Sequence, residues 1–288
     1  MTSARVNLAV GFFDGVHLGH QKILSGADAV LTFRNHPSTV LQAANPPALL
    51  MDVKERLGLL ATEGAARPRK VKAVMFTRRF AAMPPELFAD FLRREYPNLA
   101  RIHCGGNWRF GEGGAGTPDT LRSLGFDVKV CRYAKYKGER VSSTRIRAAL
   151  ADGAVGDANA MLGRPFSVEG RIAHGKGVGR SLGFPTLNIE VSPPLRHGVY
   201  AVDTPMGKGV ANYGVAPTMG GRAWPSAVLE VHLFESGGAR VDMAAGGLLR
   251  VAFLSFVRPE MAFRTVGELR RQIAADVAVC IRHPWPGF

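Results

Sequence analysis

The sequence predicts an α/β chain of two domains: a doubly wound parallel sheet first, then a small antiparallel β-barrel with a terminal helix. Three observations predict this. The chain has 288 residues, long for one ordinary domain and comfortable for two. Up to about residue 160, short strand-like runs alternate with helix-like ones, the pattern of a parallel sheet with helices on both faces. Beyond about residue 163, strand-like runs follow one another across Gly/Pro turns with few helices between them, the pattern of a small barrel.

Taken in order, Val6–Val10 is a short apolar run, Leu18–Leu24 reads as a helix and Ala29–Phe33 as the next strand. Residues 52–60 read as a helix with Val53, Leu57 and Leu60 on one face. Residues 73–76 are strand-like, 84–94 form a helix opened by proline, and 101–104 and 127–131 are further strands. Sheets of this kind bind ligands at the carboxyl ends of their strands. A helix over 144–150 and the segment Val155–Leu162 join the halves, and the expected division is 1–159 and 160–288. In the second half, 166–174, Gly198–Thr204, 209–215, 228–234 and 248–257 are the strand candidates. An amphipathic helix over 265–279 closes the chain, aligning Leu269, Ile273 and Val277.

Hydrophobic residues make up 46% of the chain, enough to fill two cores and too many for a disordered one. The start, Met1-Thr2-Ser3-Ala4-Arg5, leads into a strand-like stretch without the apolar core of a signal peptide. No apolar run approaches the ~18–20 residues that span a bilayer. Cys104, Cys131 and Cys280 suggest neither a disulfide framework nor a zinc site. A cytoplasmic protein without a membrane partner is expected. The net charge of +14 is uneven: residues 1–150 hold 23 Lys/Arg against 12 Asp/Glu, the remainder 14 against 11. A basic first half fits a polyanion, either a nucleoside triphosphate or nucleic acid. A plain compositional preference explains it equally well, since Arg greatly outnumbers Lys.

Gly11-Phe12-Phe13-Asp14-Gly15-Val16-His17-Leu18-Gly19-His20 falls where a strand ends and a helix begins. Such a junction presents backbone N–H groups and the positive end of the helix dipole, a natural phosphate seat. His17 and His20 share a helical face and can both donate to phosphate oxygens, and Gly19 lets a nucleotide approach the backbone. Half a metal site or an incidental His pair is the competing reading. In Arg140-Val141-Ser142-Ser143-Thr144-Arg145-Ile146-Arg147 the hydroxyl run caps a helix whose Ile146 and Leu150 begin a buried stripe. Paired with the His motif, these hydroxyls and Arg147 could grip the far end of a triphosphate; alone, they describe a capped helix with exposed arginines.

In the second half, His174-Gly175-Lys176-Gly177-Val178-Gly179-Arg180-Ser181-Leu182-Gly183-Phe184-Pro185-Thr186-Leu187-Asn188 holds a basic, glycine-rich loop able to wrap phosphates with backbone amides. A flexible barrel turn reads equally from that spacing. Over residues 228–234, strand alternation sends Leu229, Val231 and Leu233 one way and Glu230 and His232 the other.

The order and spacing of these motifs resemble the prokaryotic bifunctional riboflavin kinase/FMN adenylyltransferase (FAD synthetase) family along nearly the whole chain. Beside the His and Arg140 motifs, the matching segments are Thr32-Phe33-Arg34-Asn35-His36-Pro37 and Gly106-Asn107-Trp108-Arg109-Phe110-Gly111. The resemblance implies an N-terminal nucleotidyltransferase domain that adenylylates FMN to FAD and a C-terminal kinase that phosphorylates riboflavin to FMN, each with ATP. It implies catalytic roles for His17, His20, Asn107 and Arg147, and phosphate contacts from Gly11, Phe13, Gly19, Arg140, Ser143 and Thr144. In the kinase it implies Glu230 as general base, Mg²⁺ at Thr186 and Asn188, and phosphate contacts from Gly175, Lys176, Gly177 and Gly179. Asn212-Tyr213-Gly214-Val215-Ala216-Pro217-Thr218 and Arg258 with Phe263 also fit, although Tyr213 and Ala216 depart from commoner residues. Two further departures stand out: the first helix is short, bringing its flavin contacts into question, and Asn35 replaces a usual proline. The alternatives are a kinase with a weakened adenylyltransferase and, remotely, a basic nucleic-acid-binding protein, against which the arginines are scattered.

Overall fold

The computed structural model describes residues 5–41, 46–173, 178–214, 227–234 and 246–284. It forms two compact units, Met1–Ser143 and Thr144–Phe288. Among the described residues no helix is long and apolar enough to cross a membrane.

The first unit runs β1 (Val6–Val10), α1 (Leu18–Leu24), β2 (Ala29–Phe33), α2 (Pro37–Val40), α3 (Val53–Thr62) and β3 (Lys70–Val74). It continues through α4 (Arg78–Ala81), α5 (Pro85–Glu95), β4 (Leu99–Gly105), α6 (Pro118–Ser123) and β5 (Val128–Cys131), and ends in a two-stranded ribbon, β6 (Lys135–Tyr136) with β7 (Glu139–Arg140). Strands β1 to β5 form one parallel sheet in the order β3-β2-β1-β4-β5. Neighbouring strand residues face opposite sides. Leu8, Val10, Leu31 and Ile102 therefore meet Phe88 and Leu92 of α5 and Leu121 of α6, whereas Ala9 and Val30 meet Leu24 of α1 and Leu60 of α3. These are the two helical layers of a doubly wound sheet. Strand order reverses between β1 and β4, and the crevice at their carboxyl ends is where such sheets seat ligands.

Two local expectations change. Strand β3 covers 70–74 rather than 73–76: Lys70 and Lys72 alternate with Val71 on an outermost strand, and their side chains stay in water. On α3 the deepest positions are Arg56 and Leu60, at 1% and 0% exposure, whereas Val53 is 38% exposed. The inward face is thus rotated from the purely apolar one.

In the second unit, α7 (Ser143–Ala151), which starts at the boundary, buries Ile146 and Leu150 completely, as expected. Helix α8 (Val155–Leu162) stops at Gly163, whose left-handed φ of 75° suits glycine. Asn159 of α8 donates to Phe253 O (2.9 Å) and accepts from Phe166 N (2.7 Å), fastening this helix to the barrel. Then follow β8 (Phe166–Ala173), α9 (Val178–Ser181), β9 (Leu187–Glu190), β10 (Gly198–Thr204), β11 (Gly207–Gly214), β12 (Val228–Leu233), β13 (Leu248–Arg258) and α10 (Val266–Arg282). The six strands close as β10-β11-β12-β9-β8-β13, every pair antiparallel. Strand β9 escapes the sequence pattern because it has four residues, two of them polar. Tyr200 and Phe253, edge to face at 5.2 Å, are fully buried with Ile189, Leu229, Val231 and Val251. On the other side of the strands, Val199, Ala201 and Val210 pack against Val277 and Cys280 of α10. Leu269, Ile273 and Val277 are half-buried on that helix, but Asp276 lies deeper than any of them.

Candidate active sites

The β1 exit loop turns on unusual backbone. Phe13 and Val16 have positive φ (62° and 38°), and both side chains are buried. Phe13 folds back over Gly11, where an added Cβ would lie 2.9 Å from its ring. His17 is the N-cap of α1 rather than a residue within it: Nδ1 accepts from Gly19 N (3.1 Å) and His20 N (3.3 Å). Two amides of the expected phosphate seat are thus taken by the imidazole. With Nδ1 accepting, the neutral ring carries its proton on Nε2, which is then a donor. His17 and His20 stack at 3.6 Å between centroids. Gly19 makes room for this, since a Cβ there would stand 3.0 Å from His17 Cε1.

At the β4 exit, Asn107 Oδ1 accepts from Arg140 Nη2 at 3.0 Å, joining two motifs that are far apart in sequence. The Arg140 guanidinium lies 3.8 Å over the Tyr133 ring. Ser143 Oγ donates to Asp14 O (2.9 Å), tying the start of α7 to the His loop. Thr144 is exposed and Arg147 half-buried on α7, within the second unit. Asn35, the departure from the usual proline, accepts from Phe76 N (2.9 Å) and donates to Phe76 O (3.0 Å), clasping the β2 exit to the β3 exit.

Sequence reasoning missed Arg56. Its Nη1 donates to Phe12 O (2.6 Å) and Thr32 Oγ1 (3.0 Å), and its Nη2 to Phe33 O (2.7 Å). Burial lowers its pKa, with Asp14 opposing that shift. The one available signal was its spacing four residues before Leu60 on an otherwise apolar helix face.

In the barrel, Glu230 stands directly across from Asn188 of β9 and from Asn212 of β11. Thr186, two residues before Asn188, precedes the same strand. Glu230 is open to solvent on its outer side, yet the protein packed around its carboxyl raises its pKa by desolvation. His232 shares that face as expected, its Nδ1 2.9 Å from Pro185 O. Gly179 permits a close turn, since a Cβ there would meet Phe184 O at 2.4 Å and Thr186 Oγ1 at 3.1 Å. Gly175, Lys176 and Gly177 lie outside the described residues, as do Val215 to Thr218, including Ala216. Arg258 grips Asp276 with Nε and Nη2 (2.9 and 2.7 Å), and Gln272 adds a bond to the same carboxylate (2.9 Å). Asp276 was not anticipated; a lone carboxylate in an apolar helical stripe was its only trace.

Two family models match the chain: FAD synthetase over residues 2–145 and riboflavin kinase over residues 162–283. The bifunctional riboflavin kinase/FMN adenylyltransferase of Escherichia coli K12 is 35% identical, over 93% of this chain and 90% of that protein. The proteins of the same name from Haemophilus influenzae (33%; 94% and 91%) and Bacillus subtilis (31%; 97% and 93%) are similar too. A crystal structure described as a macrolide-efflux protein from Streptococcus pneumoniae superposes with a TM-score of 0.79, covering 99% of this chain and 96% of that one. At 24% identity it speaks to the fold alone. The two family matches, one over the parallel-sheet unit and one over the barrel, make this a two-domain, ATP-using transferase. The chain belongs to the bifunctional riboflavin kinase/FMN adenylyltransferase family.

Proposed function

We propose that the barrel phosphorylates riboflavin to FMN and that the α/β unit then adenylylates FMN to FAD. The observation that carries this is that each half has its own family match, and a cluster of polar side chains in each is suited to phosphate. For the kinase step, the riboflavin 5′-hydroxyl oxygen attacks the γ-phosphorus of ATP, the bond to ADP breaks, and the proton passes to Glu230. A carboxylate whose proton affinity is raised by desolvation is a better base than an ordinary one. Among the described residues no cluster of three His, Cys, Asp or Glu side chains could hold a metal. The neutral oxygens of Asn188, which pairs with Glu230, and of Thr186 two residues earlier suit Mg²⁺, which favours oxygen ligands shared with substrate phosphates. Bound there, Mg²⁺ would neutralise phosphate charge. Gly175, Lys176, Gly177 and Gly179 would wrap the same phosphates.

For adenylyl transfer, an FMN phosphate oxygen attacks the α-phosphorus of ATP and pyrophosphate leaves. This needs charge neutralisation and in-line placement rather than a base. We assign His17 Nε2, His20, Asn107, Arg140, Ser143, Thr144 and Arg147 to that task, on a loop shaped by Gly11, Phe13 and Gly19. The candidate residues for the two reactions do not cross residue 159/160, so we keep 1–159 and 160–288 as the functional division. A cytoplasmic setting suits three buried free thiols, and we expect neither a membrane nor a nucleic-acid partner. Incubation with riboflavin and Mg-ATP, followed by chromatography, tests the reading: FMN should appear first and FAD after it. Absence of both would refute it, and FMN alone would refute its second step.

A further inference from the structure

Arg56 reaches from the third helix of the α/β unit into a wholly buried position beneath the exit loops. A guanidinium so far from water must find acceptors. Those it finds are Phe12 on the exit loop of β1, Thr32 and Phe33 at the carboxyl end of β2, and Arg34 just beyond that strand. Its charge also rests on the Phe12 ring, with Cζ 4.1 Å from the centroid. Thr32 Oγ1 donates to Phe12 O (3.1 Å) as well, so one carbonyl gathers both groups.

We propose that Arg56 is a positioning residue for adenylyl transfer, whose planar fork locks the β1 and β2 exit loops together and thereby fixes the His17 ring. This rests on the reading of the α/β unit as the adenylyltransferase. Phe12 immediately precedes Phe13, the first of the two non-glycine positive-φ residues that steer the chain to His17. Side chains resist that conformation, which persists only when its surroundings hold it. The bond from Arg56 to Phe12 O is such a hold. Phe12 O and Phe33 O are taken by different nitrogens, Nη1 and Nη2, which an ammonium group cannot reproduce.

The test is Arg56→Lys, which keeps the charge and most of the stem but loses the fork. FAD formation from FMN and Mg-ATP is measured at a temperature where circular dichroism shows variant and parent equally folded. Since a misplacement of about 1 Å can cost about 10²-fold, kcat should fall by about 10–100-fold. KM for FMN and for ATP should stay within about threefold, because binding is retained while the transition state is lost. Riboflavin phosphorylation by the same sample should not change. Parental kcat with only a lowered melting temperature would overturn the proposal, as would a rise in KM alone. Should the lysine variant fail to fold, Thr32→Val removes only the hydroxyl between Arg56 and Phe12 O. A severalfold drop in kcat then supports the proposal and an unchanged kcat overturns it. If the parent chain makes no FAD, the reading of the α/β unit fails and the proposal falls with it.

Discussion

His17 joins a structural task to a proposed chemical one. Its Nδ1 caps α1 by accepting from two amides, and the proposed function gives its Nε2–H to a phosphate. His17→Asn should retain much of the cap, because Asn is a good N-cap residue, whereas His17→Ala should cost about 1 kcal/mol of stability. Both should lower FAD formation, by about 10²–10³ if Nε2–H stabilises the transition state, and both should leave FMN formation intact. Equal loss of the two products in folded protein would contradict the assignment. Glu230→Gln keeps the shape without the base, so FMN formation should drop by about 10²–10⁴ with riboflavin binding little changed. The pH dependence has a definite sign. Desolvation raises the Glu230 pKa, so the acidic limb of kcat/KM for FMN formation should lie above the usual carboxylate range of about 4.3. Activity should rise with pH through the raised Glu230 pKa and be lost below it; a limb at the ordinary position would argue against Glu230 as base. The candidate site residues were proposed from the sequence where a motif names them by type and spacing. Arg56 and Asp276 were not, because a charge on an apolar helix face reads as an outward residue until its distant partners are known. Those partners, Phe12 and Phe33 for one and Arg258 for the other, come from other elements.

Most helices and strands with strong periodicity were read within a residue or two; α10 runs three residues further, α6 was not expected, and the other exceptions share a cause. Strand β9 is short and polar, α2, α4 and α9 span four residues each, and β3 mixes lysines into its pattern. Each is held by its neighbours rather than by its own propensity. Helix α10 shows how far such support goes. Its deepest polar anchor is the Arg258–Asp276 pair, with side chains 17% and 6% exposed. Asp276→Ala would strand a buried guanidinium, and removing one partner of such a pair costs about 3–5 kcal/mol. Urea unfolding of the chain should show this loss in the transition of the barrel. A loss below about 1 kcal/mol would mean that the pair behaves as an exposed one.

For the whole molecule, the compact units divide after Ser143, whereas the proposed functional division falls at 159/160. A fragment starting at residue 160 would begin inside α8 and lose Asn159, which bonds to both β8 and β13. A fragment starting at Gly153 keeps that helix. It should convert riboflavin to FMN and never to FAD, and should melt higher than the shorter piece. Equal melting of the two would show that α8 contributes nothing to the barrel. The barrel closes on itself, but the parallel sheet ends in two open margins, β3 and β5. Exposed Lys70 and Lys72 stand on the first and Lys129 on the second, where Arg122 also donates to Val128 O (3.0 Å). An unpaired strand margin is a template for a strand from another molecule, and lysine blunts it, because joining two such margins would bring like charges together and desolvate them. Although Lys72 pairs with Glu95, we expect some of the positive excess of the first half to guard against self-association rather than to serve a ligand. Lys70→Val with Lys72→Val should leave riboflavin phosphorylation unchanged while light scattering rises with protein concentration; a variant that stays monodisperse would return those charges to the polyanion they first suggested.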